Sequence, residues 1–212
     1  MTPTTIIWDW NGTLLDDVAL CARLLDELLA RHGYRPLGDV EAYRGVFGFP
    51  IRDYYQRAGF DFSRHPYEDL AAEWFAAYTA ARLRCPLQPG ARRVLSALQG
   101  NGVRQVILSA SQQDALEAEV AHFGLTSYFD ELLGLGDFYA HSKVARGTAW
   151  LTASGLDPAE ALLVGDTLHD WEVARAMGAG CVLFSGGHQP LRTLAAAGAP
   201  VISRLQALLP HI

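Results

Sequence analysis

The sequence predicts an α/β fold: a Rossmann-like, doubly wound parallel sheet with helices on both faces, interrupted near its start by an all-helical insertion. Three observations carry this. Short, near-continuous apolar runs recur along the chain and end in small or polar residues, as strands buried on both faces do. Segments with apolar residues at helical spacing separate them, and such alternation implies right-handed crossovers into one parallel sheet. The alternation lapses between residues 16 and 85, where only helical patterns occur.

The elements follow in order. TIIWDW (5–10) is the first strand, with Trp8 and Trp10 expected to pack on the sheet faces. DDVALCARLLDELLARHGY then places Leu20, Leu24, Leu25, Leu28 and Leu29 in one helical stripe. Shorter helical patterns cover 39–47 and 50–59, and a longer amphipathic one covers 67–84. Phe47, Phe49, Tyr54, Trp74, Phe75 and Tyr78 are expected to fill the interior of this insertion. CPLQPG (85–90), rich in proline, marks its exit. The division is therefore a core of residues 1–15 and 86–212 with a helical cap of residues 16–85.

Beyond the insertion, helix PGARRVLSALQGNG (89–102) buries Ala91, Val94, Leu95 and Leu98 and stops at Gly-Asn-Gly. The remaining strands are RQVILSAS (104–111), FDELLGL (129–135), ALLVGDT (161–167), GCVLFSGG (180–187) and PVISRL (200–205). Helices at 114–125, 143–156 and 168–180 separate them, the first starting at an Asp able to cap and ending near a Gly.

Bulk properties exclude several classes of function. The formal net charge is −6 and the basic residues are scattered, which argues against a nucleic-acid surface. No apolar run is long enough to span a bilayer, and no basic segment followed by an apolar one marks a signal peptide. Cys21, Cys85 and Cys181 lie far apart without metal-knuckle spacing, which fits small buried hydrophobes in a reducing compartment. A cytoplasmic location is expected.

Chemistry gathers at the strand ends. The first run closes on Asp9-Trp10-Asn11-Gly12-Thr13, the second on Ser109-Ala110-Ser111, the fourth on Asp166-Thr167-Leu168-His169-Asp170. In an open α/β sheet, ligands bind beyond the carboxyl ends of the strands. Asp9 and Asp166 together would make a hard anionic oxygen site suited to Mg²⁺. Asp170, in the first turn of the next helix, could hold a metal-bound water. Gly12 would let backbone amides approach a phosphate, and Ser109 with the Ala110 N–H could donate to its oxygens. Lys143 opens a helix and could neutralise remaining charge. Each piece alone is ordinary, a turn, a cap or a solvated helix residue; the weight lies in their occurring together, in order, at successive strand ends.

This set, DWNGT, ILSAS, Lys143 and GDTLHD, resembles the four motifs of the haloacid dehalogenase superfamily of phosphohydrolases. FGFPIRDYY, PLQPGARRVLSALQGNG, YFD and the MGAG–VLFSGGH tail are similar to its phosphoglycolate-phosphatase-like branch. The resemblance implies a Mg²⁺-dependent phosphatase acting on a small phosphorylated metabolite, with no nucleic-acid or membrane partner. It implies attack by Asp9 on phosphorus and an aspartyl-phosphate. It implies a cation held by Asp9, the backbone carbonyl of Asn11 and Asp166, with Asp170 behind through water. Ser109 and Lys143 would hold the phosphoryl oxygens, with Gly12, Thr13 and Ala110 around them. The insertion would be the helical cap, and within it Arg44 and Arg52, flanking VFGFPI, could take a substrate carboxylate or second phosphate bidentately.

One position departs from the pattern. Most phosphatases of this superfamily carry Asp where Asn11 stands, to protonate the leaving oxygen and then activate water. Asn does neither, though its amide could still donate to the bridging oxygen and its backbone carbonyl still serve a metal. The expected loss is on the order of 10²–10⁴-fold in rate. Four explanations stand side by side: a substrate with a good leaving group such as an acyl phosphate, a substitute proton carrier such as His141 or His169, a phosphate-ligand binding or regulatory protein with weak turnover, or an engineered trap. A dehalogenase would not need the Asp166/Asp170 pair, a phosphonatase needs a cap lysine that residues 16–85 lack, and a mutase needs an acid at position 11 even more than a phosphatase does.

Overall fold

In the computed structural model, which describes residues 3–136 and 143–211, β1 (Thr5–Trp8) runs through the middle of a six-stranded parallel sheet and all four of its residues are buried. The sheet order is β3-β2-β1-β4-β5-β6, with β2 at Arg104–Gln112, β3 at Glu131–Leu135, β4 at Ala161–Gly165, β5 at Gly180–Phe184 and β6 at Val201–Ile202. The chain reverses its direction of winding between β1 and β4, so the crevice at their carboxyl ends is the topological switch point. Registers Trp8↔Val164 and Trp8↔Ile107 bring Asp9, Asp166 and Ser109 to the same end of the sheet.

Alternation along β1 decides the two core layers. Ile6 and Trp8 join the larger cluster with Val94, Leu95 and Leu98 of α5 (Ala91–Gly100) and Leu116 and Val120 of α6 (Gln113–His122). Ile7 faces the other way, onto Trp150 and Leu151 of α7 (Lys143–Ser154) and Val173 and Met177 of α8 (Leu168–Met177).

Between β1 and α5 lie α1 (Val18–Arg31), α2 (Val40–Val46), α3 (Ile51–Ala58) and α4 (Tyr67–Ala81). The leucine stripe of α1 is buried as the spacing predicts, and it packs in the larger cluster with Tyr43, Tyr54, Leu70 and Tyr78. The two chain passages joining these helices to the sheet run side by side: Asp16 N–H donates to Pro86 O and Gln88 N–H to Leu14 O, both at 2.9 Å. None of the described helices is long and apolar enough to cross a membrane, and the three cysteines carry free thiols.

The end of the chain differs from the sequence expectation. The strand expected over 200–205 is limited to Val201–Ile202, paired with Leu183 and Phe184 at the sheet edge. Beyond it a 3-10 stretch, Leu205–His211, turns Leu205 and Leu208 fully inward. Burying those leucines against α5 gains more apolar contact than a longer edge strand would offer. A short α9 (Leu191–Leu194) before β6 was also not expected.

Candidate active site

The backbone past β1 is fixed first. Asp9 N–H donates to Val164 O at 2.9 Å, which extends the β1–β4 ladder by one residue and sets Asp9 beside the β4 terminus. Gly12 then takes φ +75°, and a Cβ there would run into the Asp166 carboxylate and the His188 ring. A Cβ on Gly187 would meet Asp166 as well. The carboxylate of Asp166 is thus wrapped by two close passes of glycine backbone.

Asp9, Asp166 and Asp170 are all buried, with carboxylate oxygens within 4.8 Å of one another. Lys143, from the start of α7, is the chain's one lysine, and it is buried between two of them. Its Nζ donates to Asp9 Oδ1 at 2.6 Å and to Asp170 Oδ1 at 2.5 Å. Asp170 also closes a capping box on α8, its Oδ2 accepting from the Thr167 N–H at 3.0 Å and hydroxyl at 2.7 Å. Asp166 accepts from the Thr13 hydroxyl at 2.9 Å and the His188 backbone N–H at 2.6 Å.

Two of the three carboxylates share one ammonium and Asp166 has none, and the electrostatics record the imbalance. Burial pushes the Asp9 carboxyl well above its ordinary range; Lys143 pulls it down, while Asp170 and Asp166 push it further up. Asp166 is pushed up to about 6, mainly by burial, against the pull of His188. At Asp170 burial acts upward, but Lys143 and Thr167 outweigh it and its carboxyl lies below the usual range. Burial acts to lower Lys143, yet Asp170 and Asp9 hold it above the ordinary lysine value. This donor set fits a hard divalent cation: clustered carboxylate oxygens, negative charge in excess, and nothing soft among them.

A second cluster lies beside the first, and little in the sequence points to it. Asp17 occupies the N-cap position of α1 but makes no side-chain cap. Its carboxylate instead accepts from Gly12 N–H at 2.9 Å, Asn11 Nδ2 at 2.9 Å, the Tyr78 hydroxyl at 2.7 Å and His188 Nε2 at 3.1 Å. Burial acts to raise Asp17, but His188 and these hydrogen bonds hold its carboxyl below the usual range. Burial acts to lower His188, and Asp17 outweighs it, raising the imidazole to about 9. The other ring nitrogen, Nδ1, bonds the Tyr43 hydroxyl at 2.8 Å, and Phe47 stacks on the ring.

Several expectations change on this geometry. The Gly12 amide, expected to face a phosphate, is given to Asp17, and the Thr13 hydroxyl is given to Asp166. Asn11, expected to keep a donor for a leaving oxygen, commits its amide nitrogen to Asp17 and, at 2.6 Å, to the Tyr78 hydroxyl. Its Oδ1 accepts from Ser111 Oγ at 3.0 Å. Arg44 turns to the β5 loop, donating to the carbonyls of Gly186 and Gly187 at 2.9 Å each; it ties α2 to the sheet and has little left for a substrate anion. Arg52 lies over the rings of Phe62 and Tyr67 and pairs with Glu68 at 3.4 Å, far along the helical insertion and half exposed. Tyr78 is in the interior as expected, but its hydroxyl belongs to the site.

The other residues fall where the strand ends place them. Ser109 is buried, its Oγ accepting from the Ser111 N–H at 3.1 Å, and Ala110 lies beside it on β2. His169 packs on Phe49 and reaches Glu172 at 3.4 Å. His141 lies outside the described residues. Trp8 and Trp10 are fully buried, each donating its indole N–H, to Gln105 and Glu119 respectively.

Comparison with known proteins adds a lineage to this geometry. The sequence pattern of the haloacid dehalogenase-like hydrolases matches residues 6–184. The phosphoglycolate phosphatase of Pseudomonas savastanoi is 28% identical over 217 residues, covering 98% of this chain and 79% of that protein. That of Rhodobacter capsulatus is 27% identical, covering 87% and 85%. A haloacid dehalogenase-like protein of unknown function from Agrobacterium tumefaciens superimposes with a TM-score of 0.82 at 26% identity, covering 98% and 96%. One from Streptococcus pneumoniae reaches 0.83 at 19%, covering 98% and 97%, a likeness of fold.

Proposed function

The chain belongs to the haloacid dehalogenase-like hydrolases, and from that premise we propose that it is a Mg²⁺-dependent phosphatase of small phosphorylated metabolites working through an aspartyl-phosphate on Asp9. The observation that carries the reading is the buried trio Asp9, Asp166 and Asp170, with Lys143 bridging two of its members, at the switch point of the sheet. Asp9, Asp166 and the Asn11 backbone carbonyl would hold the cation, with Asp170 behind; once bound, it supplies charge neutralisation for an anionic nucleophile meeting an anionic phosphate.

The chain's own groups do the rest. Lys143 holds Asp9 by one oxygen, which orients the carboxylate and lowers its charge repulsion toward phosphate. An Asp9 oxygen attacks phosphorus, the bond to the leaving oxygen breaks, and the departing anion takes its proton from solvent. Water then attacks the phosphoryl group, releasing inorganic phosphate and the Asp9 carboxylate. Ser109 and the Ala110 N–H lie on β2, where they would steady the phosphoryl oxygens. The helices α1–α4 would act as the cap that covers the crevice and excludes water.

Because the Asn11 amide is engaged by Asp17 and Tyr78, the reading favours substrates whose leaving groups need no protonation, acyl phosphates foremost. Phosphoglycolate, the compound in the relatives' names, would expel an alkoxide, the glycolate oxygen, which needs a proton more than an acyl-phosphate carboxylate does, and is the natural comparison. A second reading, a phosphate-binding or regulatory protein with weak turnover, draws on the same bonded Asn11. Hydrolysis of an aryl phosphate, with and without Mg²⁺, separates the two. The phosphatase reading expects metal-dependent release; no release despite binding of metal and a phosphate analogue overturns it.

Stability should carry the signature of the acidic cluster. Asp166 is raised from 3.8 to about 6, so its contribution is complete below pH 3.8 and lost as the pH rises through about 6. His188, raised from 6.5 to about 9, contributes fully below 6.5 and loses that contribution as the pH passes about 9. A divalent cation competes with protons for the carboxylates. Mg²⁺ is therefore expected to raise the melting midpoint more at about pH 8 than at about pH 5. Equal shifts at both would contradict metal binding by these acids.

A further inference from the structure

Asp17 stands out as a buried carboxylate that the mechanism above does not use. An Asp at the first position of a helix ordinarily caps it. Asp17 gives up that role and is turned toward five donors: Gly12 and Asn11 past β1, the Cys21 thiol one turn along α1, Tyr78 from α4, and His188 past β5. The donors are divided between its two oxygens. Oδ1 receives Gly12 N–H and His188 Nε2; Oδ2 receives Asn11 Nδ2, the Tyr78 hydroxyl and, at 3.7 Å, the Cys21 thiol.

Resting on the phosphatase reading, we propose that Asp17 is the positioning residue for Asn11 and fixes an amide at that position by hydrogen-bond complementarity. A carboxylate at position 11 would set acceptor against acceptor at the 2.9 Å contact now made by Asn11 Nδ2 and Asp17 Oδ2. Asp17 is fully buried and Asn11 partly so, which leaves water little room to relieve such a pair at the Asp17 side, so the side chain at 11 would turn away or the cap would lose its Tyr78 tether. Position 11 carries no acid in this chain, and the carboxylate at position 17 organises the loop and the cap contact instead of facing a substrate.

The consequence is that the missing acid function cannot be restored by one change. Asn11→Asp alone meets Asp17. Asn11→Asp with Asp17→Asn reverses the pair: the new amide keeps an oxygen toward Gly12 and His188 and presents an N–H₂ toward position 11 and the Tyr78 hydroxyl, which can then accept. The reversed pair would free a titratable group at position 11 with its orientation intact.

The test is a cycle of wild type, Asn11→Asp, Asp17→Asn and the double variant, read in two ways. Turnover of an alkyl phosphate, whose leaving group needs a proton, is expected to change less than about threefold in Asn11→Asp and to rise roughly 10²–10⁴-fold in the double variant. Aryl phosphate turnover should rise far less, because its leaving group needs no acid. Melting midpoints are expected to fall in each single variant and to recover in part in the double. Full alkyl-phosphate gain in Asn11→Asp alone, or midpoints that simply add, overturns the proposal. Absence of any Asp9-dependent turnover in all four proteins overturns the phosphatase reading instead, and the midpoints still decide on the pair. Should the double variant fail to fold, Asn11→Asp with the smaller Asp17→Ser gives the same comparison.

Discussion

Replacing Asp9 by asparagine is expected to lower turnover by on the order of 10⁴-fold or more while leaving the protein folded. The change keeps shape and removes charge. The oxygen of the new amide could still accept from Lys143 Nζ, now 2.6 Å from Asp9 Oδ1, and Lys143 keeps Asp170 as a counter-ion. An amide oxygen is a poor nucleophile toward an anionic phosphate, so the loss falls on kcat, whatever leaving group is offered. Removing one of three mutually repelling carboxylates also relieves repulsion in the metal-free site, so the melting midpoint without metal is expected to hold or rise. Steady-state rates on an aryl phosphate, beside thermal melts in the presence of a chelator, check both halves. A variant that keeps more than about a tenth of the wild-type rate would remove Asp9 from the reaction.

The second large effect belongs to Lys143. Lys143→Met leaves the volume nearly filled and strips the only ammonium from a buried acidic cluster. Breaking a buried ion pair by removing one partner costs about 3–5 kcal/mol, and here one cation serves both Asp9 and Asp170. The variant is expected to be strongly destabilised without metal at neutral pH, and partly rescued by Mg²⁺ or by acid, which protonates Asp9 and Asp166. Its rate should fall roughly 10²–10³-fold even when Mg²⁺ restores the fold, because the charge beside the nucleophile is gone. Urea unfolding with and without Mg²⁺ separates the two losses. Unchanged stability in the absence of metal would show that the carboxylates are not charged together as the contacts imply.

The first five strands were legible because a parallel sheet buries both faces and leaves unbroken apolar runs, whereas the half-exposed edge strand β6 was read too long. Asp9, Asp166, Asp170 and Lys143 were legible because a switch-point site is assembled at strand ends, so order along the chain predicts neighbourhood. That Lys143 is the only lysine would have strengthened the case further.

Asp17, Tyr78 and His188 were a different matter. The bonds that join them span 61 and 171 residues and depend on how α4 and the loop after β5 settle over the first strand end, which no local pattern encodes. Asp17 read as a helix start, and Tyr78 read as an interior aromatic, which it also is. Arg44 and Arg52 sat where substrate contacts were conceivable, but packing against the Gly186 and Gly187 carbonyls and the Phe62 and Tyr67 rings claimed them.

The account rests on Asp9 and Asp166 sharing a divalent cation next to a phosphoryl group that Asp9 can attack. A crystal structure grown with Mg²⁺ and beryllium fluoride, which bonds a carboxylate oxygen as a phosphoryl mimic, tests this most directly. The predicted result is a cation about 2.0–2.1 Å from carboxylate oxygens of both residues, with the fluoride group on Asp9. A cation bound away from this pair, or a fluoride group on any other side chain, would contradict it.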